Sequence, residues 1–295
     1  MFYHDGGKLQ YPVKVEKPNP VFARALQQAI GGIQGEIRVC LQYLFQAWGA
    51  RGPAKYRDML LETGTEEIAH IEMLATAVAM NLEGAPLEQD KAAKDPMMAA
   101  VMGGMDFNHV LSTAMAAMPT DSNGVPFDCS HVYASGNVAA DMLANATAES
   151  TGRILACQLF KMTDDPGMKD MLRFMIARDT MHQEQWLAAW EELGGRSNHP
   201  IPNNFPQNDE NQDVNYTFYT LGKDDSVPQP TGEWSSGESF DGRSEFNIER
   251  MQPRGEKPNL GNADPRSSAQ KGQISAGSVV KALDATTAAI NQTIS

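Results

Sequence analysis

Apolar residues recur three and four positions apart along four stretches of the chain, and each apolar seam is interrupted by a carboxylate or an imidazole. The first stretch begins at Pro20 and aligns Phe22, Leu26, Ala29, Ile33, Glu36, Cys40, Tyr43 and Ala47 on one face. Asn19 before it is an N-cap residue and Pro20 suits the first helical position, so one helix is expected up to the breaker cluster Gly49-Ala50-Arg51-Gly52-Pro53. The second stretch opens at Pro53 and aligns Leu60, Gly64, Glu67, Ile71, Leu74 and Val78, with His70 three residues past Glu67; it closes after Asn81. The third starts near Ser135 and carries Met142, Ala146, Glu149, Gly152, Ala156 and Leu159 to the stop at Asp164-Asp165-Pro166-Gly167. The fourth aligns Met168, Leu172, Met175, Asp179, His182, Trp186, Ala189 and Leu193 before Gly194-Gly195.

Short loops join the first helix to the second and the third to the fourth, so each pair forms an antiparallel hairpin in which residues equidistant from the turn share a level. Glu36 lies about 15 residues before Arg51 and Glu67 about 16 after it. Glu149 lies about 16 residues before the Asp165-Pro166 turn and His182 about 16 after it. Roughly 50 residues separate the second helix from the third, which is the length of a crossover that leaves these two parallel. Within it, the Met- and Ala-rich run from Pro96 to Met118 is expected to form one or two short helices, and Pro119–Val132 a loop. The expected organisation is an extended lead-in over residues 1–18, a four-helix bundle over 19–195, and a mostly irregular region over 196–295. In that last region Val214–Leu221 alternates like a short strand, and Gln273–Ile294 is weakly amphipathic.

The formal net charge of −13 and a pI near 4.9 argue against nucleic acid or an anionic membrane as partner. The start of the chain shows no signal-peptide pattern and no apolar run is long enough to span a bilayer, so a cytoplasmic location is expected. Cys40, Cys129 and Cys157 lack any CxxC spacing and read as reduced thiols.

Four acids and two histidines, ordered as Glu36, Glu67-x-x-His70, Glu149 and Asp179-x-x-His182, therefore converge where hydrocarbon belongs. Burying a carboxylate costs several kcal/mol unless it is compensated, and cations held between the helices would compensate all of them. Oxygen-rich ligation with one imidazole per ion suits manganese or iron. Tyr43 shares the face of Glu36, where its hydroxyl either hydrogen-bonds a ligand or packs in the core. Glu66 sits about 100° round the helix from Glu67 and is expected on the flank or solvent side.

At these residues the chain resembles the non-haem manganese catalases of the ferritin-like superfamily. The resemblance rests on Lys-Pro-Asn-Pro closing the lead-in, Gly-Glu-Ile around Glu36, Gly-Thr-Glu-Glu-Ile-Ala-His around Glu67 and His70, Ala-Glu-Ser around Glu149, and Ile-Ala-Arg-Asp-Thr-Met-His-Gln around His182. It implies a ferritin-like bundle and two manganese ions, one bound by Glu36, Glu67 and His70 and the other by Glu149 and His182, with Glu67 bridging. Hydrogen peroxide would be the substrate, and the ions would cycle between (II,II) and (III,III) states. Tyr43 matches an outer-sphere tyrosine, and Asp179 falls where many members have a proton-accepting glutamate. Ala148 stands where some members have an arginine. The resemblance further implies a homo-hexamer in which the C-terminal region over 196–295 packs on neighbouring subunits and, for some members, a structural calcium. The rival readings are a ferritin-like di-iron oxidase or peroxidase and a non-catalytic member of the fold such as a spore-coat protein.

Overall fold

Asn19 starts the first helix as its position predicts, its Oδ1 accepting the Phe22 amide at 3.1 Å while Pro20 occupies the first turn. The computed structural model describes residues 7–83, 116–197, 206–221, 231–253 and 255–258. Its long helices are α1 (Pro20–Gly31), α2 (Glu36–Gly49), α3 (Ala54–Asn81), α4 (Val138–Met162) and α5 (Pro166–Glu192). Asn137 caps α4 by accepting the Ala140 amide, and Asp165 caps α5 by accepting the Gly167 and Met168 amides.

The helix expected to run unbroken through Ile33 is in fact two. α1 stops at Gly31 and α2 begins at Glu36, with a tight turn between them in which the Gly35 amide donates to the Gly32 carbonyl at 2.9 Å. A Cβ on Gly32 would stand 2.4 Å from the Gln28 carbonyl oxygen, and one on Gly35 would stand 2.7 Å from the Ile30 oxygen, so the turn needs residues without side chains. The break turns Ile33 outward, leaving it 45% exposed rather than in the seam. It also puts Glu36 in the first turn of α2, where the helix dipole favours a negative charge.

The bundle is therefore α1 with α2 as one broken rod, and α3, α4 and α5 as the other three. Lys55 near the start of α3 pairs with Glu192 at the end of α5 at 2.5 Å, while Asn81 at the end of α3 reaches Met168 at the start of α5 at 3.3 Å. α3 and α5 are thus antiparallel, and since α4 and α5 form a hairpin, α3 and α4 run parallel, as the long crossover requires. The crossover returns along α1 and α2: Gln27 Nε2 donates to the carbonyls of Met118 and Thr120, and a single 3-10 turn spans Cys129–His131. The short helices expected over Pro96–Met118 lie outside the described residues as far as residue 115, as does the amphipathic run Gln273–Ile294.

Beyond the bundle, the expected strand is β1 (Thr217–Thr220). It joins β2 (Gly237–Glu238) and β3 (Glu245–Arg250) in a sheet of order β1-β3-β2, where Gly237 pairs with Phe246 and Glu238 with Glu245. The chain divides into two units, Met1–Phe218 with Pro230–Ile248 and Tyr219–Gln229 with Glu249–Ser295, and the whole bundle belongs to the first. No helix among the described residues is long and apolar enough to cross a membrane.

Two apolar clusters fill the bundle. One includes Leu26, Met73, Leu74, Val78, Met168 and Leu172; the other includes Tyr43, Ala47, Leu60, Met142 and Trp186. The crossover packs so closely that a Cβ on Gly31 would stand 2.5 Å from the Thr120 backbone. Gly31→Ala should therefore destabilise the fold by about 1–3 kcal/mol, read as a lowered midpoint in urea unfolding.

Candidate metal centre

Glu67 on α3 sits between the two hairpins with both carboxylate oxygens buried. Its Oε2 lies 2.6 Å from His70 Nδ1 on its own helix, and its Oε1 lies 2.9 Å from His182 Nδ1 on α5. Glu36 Oε2 approaches His70 Nδ1 at 3.7 Å, and Glu149 Oε1 from α4 approaches His182 Nδ1 at 3.6 Å. The rings of His70 and His182 are 5.7 Å apart and inclined by 26°. Five expected ligands thus come together as two groups, Glu36-Glu67-His70 and Glu67-Glu149-His182, with the ligand atoms of each group within 4.8 Å of one another. Glu67 belongs to both.

Close approach here is not hydrogen bonding. Both oxygens of Glu67, both nitrogens of His70 and Nδ1 of His182 are buried without a hydrogen-bond partner, which is costly for groups this polar. Acids and imidazoles that converge without bonding one another fit a pair of divalent cations. The donor set of carboxylate oxygen and imidazole nitrogen without thiolate suits manganese or iron.

Tyr43 on α2 donates its hydroxyl to Glu149 Oε1, settling the choice between hydrogen bonding and mere packing. Trp186 Nε1 reaches the same oxygen at 3.5 Å, and its ring lies 4.8 Å from that of Tyr43. Asp179 is buried on the α5 seam, and its Oδ2 lies 4.0 Å from the point where a Cβ on Gly152 would stand, so the glycine leaves room beneath the carboxyl.

The charges explain the protonation of this layer. Burial and the neighbouring Glu67 raise Glu36 to about 8, while burial and the repulsion of Glu36, Glu149 and Glu67 raise Asp179 to about 9. Burial would raise Glu67 as well, but His70 and His182 draw it down to about 2. Burial disfavours the imidazolium of His182, yet Glu149, Glu66 and Glu67 outweigh it and lift its pKa to about 12. His70 is likewise raised well above its usual value against burial, chiefly by Glu67. Burial and Glu149 keep the Tyr43 phenol protonated.

Glu66, expected on the flank or solvent side, lies on the flank with its carboxylate turned inward. Its Oε2 lies 3.0 Å from His182 Nε2, its Oε1 lies 3.7 Å from His70 Nε2, and Arg178 holds it with Nε at 2.6 Å and Nη2 at 3.1 Å. Burial opposes its ionisation, but His182, His70 and Arg178 hold its carboxyl far below the usual range. Helical angle alone hid this role, because a glutamate one position off the seam still reaches round to the next helix. The available signal was Arg178, one turn before His182 on the face that meets α3.

The family model described as manganese containing catalase matches residues 1–284 of this chain. A manganese catalase of Bacillus subtilis is 44% identical over 267 residues, covering 90% of this chain and 96% of its own. That of Lactiplantibacillus plantarum is 43% identical over 193 residues, covering 65% of this chain and 72% of its own. In fold, the chain is similar to the crystal structure of KatB, a manganese catalase from Anabaena PCC7120, with a TM-score of 0.69 at 23% identity over 85% of this chain and 100% of that one. A match of this extent, met independently by two histidine–carboxylate groups at one level of the bundle, shows that the chain belongs to the manganese-containing catalase family.

Proposed function

We propose that this protein disproportionates hydrogen peroxide into water and oxygen at two manganese ions, one held by Glu36, Glu67 and His70 and the other by Glu67, Glu149 and His182. The observation that carries the reading is the pair of ligand groups sharing Glu67. A shared carboxylate is what a bridged two-ion centre requires. The identity to manganese catalases favours manganese over the iron of a di-iron oxidase, and a complete ligand set argues against a non-catalytic relative. Manganese held by these residues would supply the two-electron redox capacity that peroxide disproportionation needs.

The chain's own groups do the rest. Asp179, which burial and three neighbouring acids keep protonated, is the proton store of the centre. Tyr43 pins one oxygen of Glu149 and so fixes that carboxylate's rotation. The two apolar clusters on either side exclude bulk water and admit only small reactants. A homo-hexamer, as the family resemblance implies, would cover exposed apolar side chains such as Phe45 and Trp48 on α2 and Ile154 on α4. A cytoplasmic setting suits the free thiols of Cys40, Cys129 and Cys157.

Protein purified from its native source should contain manganese and release oxygen from peroxide; iron in its place, without oxygen release, overturns the reading. Glu67→Gln and His182→Ala should each lose manganese by elemental analysis and cut oxygen release by more than about 100-fold, since a direct ligand matters at least as much as an outer partner. Asp179→Asn should keep its manganese while turnover slows by roughly 10²–10⁴-fold, the usual share of a proton-transfer group; an undiminished rate removes Asp179 from the reaction. Because His182 holds its proton up to about 12 without metal, and His70 well above its usual value, protons compete with the cations. Manganese uptake in equilibrium dialysis should accordingly weaken as pH falls and strengthen as it rises.

A further inference from the structure

The extended start of the chain is fastened along α5. The Glu16 and Lys17 amides donate to Asp165 Oδ2 at 2.8 and 3.1 Å, and the Tyr11 ring stacks on Phe174 at 4.4 Å. Tyr11 also donates its hydroxyl to Asp170 Oδ2 at 3.1 Å. The strap lies so close that a Cβ on Gly167 would stand 2.2 Å from the Lys14 carbonyl oxygen. Its path ends beside the metal centre, where Gln10 Nε2 donates to Glu66 Oε1 at 2.7 Å.

Glu66 is thereby held from three directions. Gln10 and Arg178 Nε share Oε1, while Arg178 Nη2 and His182 Nε2 share Oε2. Both imidazoles turn Nδ1 toward the carboxylates of the centre and Nε2 toward Glu66. A carboxylate hydrogen-bonded to Nε2 holds the proton there and leaves the Nδ1 lone pair for a metal, so the setting of Glu66 governs how well His182 can ligate; His70 Nε2, at 3.7 Å, makes no hydrogen bond to it. Yet Glu66 is 20% exposed, and an open depression of about 650 Å³ lined by Gln10, Thr65, Glu66, Ala69, Phe174 and Arg178 borders its outer side. Arg178 alone leaves one lone-pair direction of Oε1 to solvent; Gln10 fills it.

We propose that the N-terminal strap is a positioning part of the metal centre: Gln10, delivered by the Tyr11 and Asp165 contacts, clamps Glu66 with Arg178 and thereby orients His182 toward the cations. The inference rests on the metal site proposed above and assigns a role to a segment more than fifty residues away in sequence from Glu66.

The test is the rate at which the full-length, manganese-loaded protein loses metal to excess EDTA, with the thermal midpoint of each metal-free variant measured alongside. Gln10→Ala should speed the loss about three- to tenfold, below the range for direct partners of metal-ligating histidines. Gln10→Glu should speed it further by setting a like charge against Glu66. Gln10→Lys, which restores a donor, should return the rate toward that of the parent. The metal-free midpoints should stay level across the series, because Gln10 lies at the surface. Equal loss rates for parent, Gln10→Ala and Gln10→Glu overturn the strap's role alone, as does a speed-up in all three variants that tracks a falling metal-free midpoint. A parent that takes up no manganese overturns both this inference and the metal site it rests on.

Discussion

Ionisable groups buried at one level of a helical bundle are the constraint on which the rest of this structure depends. Glu67, His70, Glu149, Asp179 and His182 are each at most 5% exposed, and Glu36 joins them from the start of α2. Moving one such charge out of water costs several kcal/mol unless partners on facing elements compensate it. The cost is bearable only if all four rods bring their groups to the same depth, so the two hairpins, the parallel crossover and the matched loop positions become conditions of one another. The apolar clusters then lie to either side of a polar layer rather than forming one continuous core.

Much of this could be read from the residues alone, because the anomaly and the period reinforce each other. A carboxylate in a Leu, Met and Ala seam is conspicuous only once the seam has been phased, and phasing was reliable over α3, α4 and α5, where Asn137, Asp165 and Pro166 mark clear beginnings. It failed over α1 and α2 for a physical reason. The Gly31–Gly35 turn interrupts the helix yet returns the chain with Glu36, Cys40, Tyr43 and Ala47 still in contact with the bundle, so the break left the period nearly intact. The cluster of three glycines was the residue-level signal, and its steric necessity became visible only with the backbone of Gln28, Ile30 and Thr120 in place. β3 was missed differently: Glu245–Arg250 alternates as a strand should, but its partner β2 is two residues long, too short to show any period.

Glu66 marks the limit of face-by-face reading. Helical wheels sort side chains by the direction of Cβ, whereas a glutamate has three further bonds with which to reach a neighbouring helix. Position 66 lies off the seam, but Arg178 and His182 on α5 draw its carboxylate inward. Outer partners of a metal centre are systematically hard to infer from periodicity for this reason: they occupy flanks, and what selects them is the chemistry of the next helix. Ala148 illustrates the converse. Where the family resemblance allows an arginine, this chain buries an alanine among Tyr43, Met142 and Trp186, and the guanidinium beside the centre comes instead from α5, on the far side of the histidines.

These placements divide the charge of the site into an inner and an outer ring. Inside, protons and divalent cations are alternatives: Glu67 is ionised because two imidazoliums face it, and Asp179 and Glu36 keep protons because too many acids surround them. A divalent cation taken up by such a layer would displace protons from the histidines, and the carboxylates that raised those pKa values would face it in their place. Outside, Glu66 is held ionised by His182, His70 and Arg178, of which the guanidinium keeps its charge throughout, and the Gln10 amide adds a neutral donor. That charge faces His182 Nε2 whether a proton or a cation occupies Nδ1. An inner ring that can change its charge is thus kept in register by an outer one that does not, which is the arrangement a centre handling both protons and electrons requires.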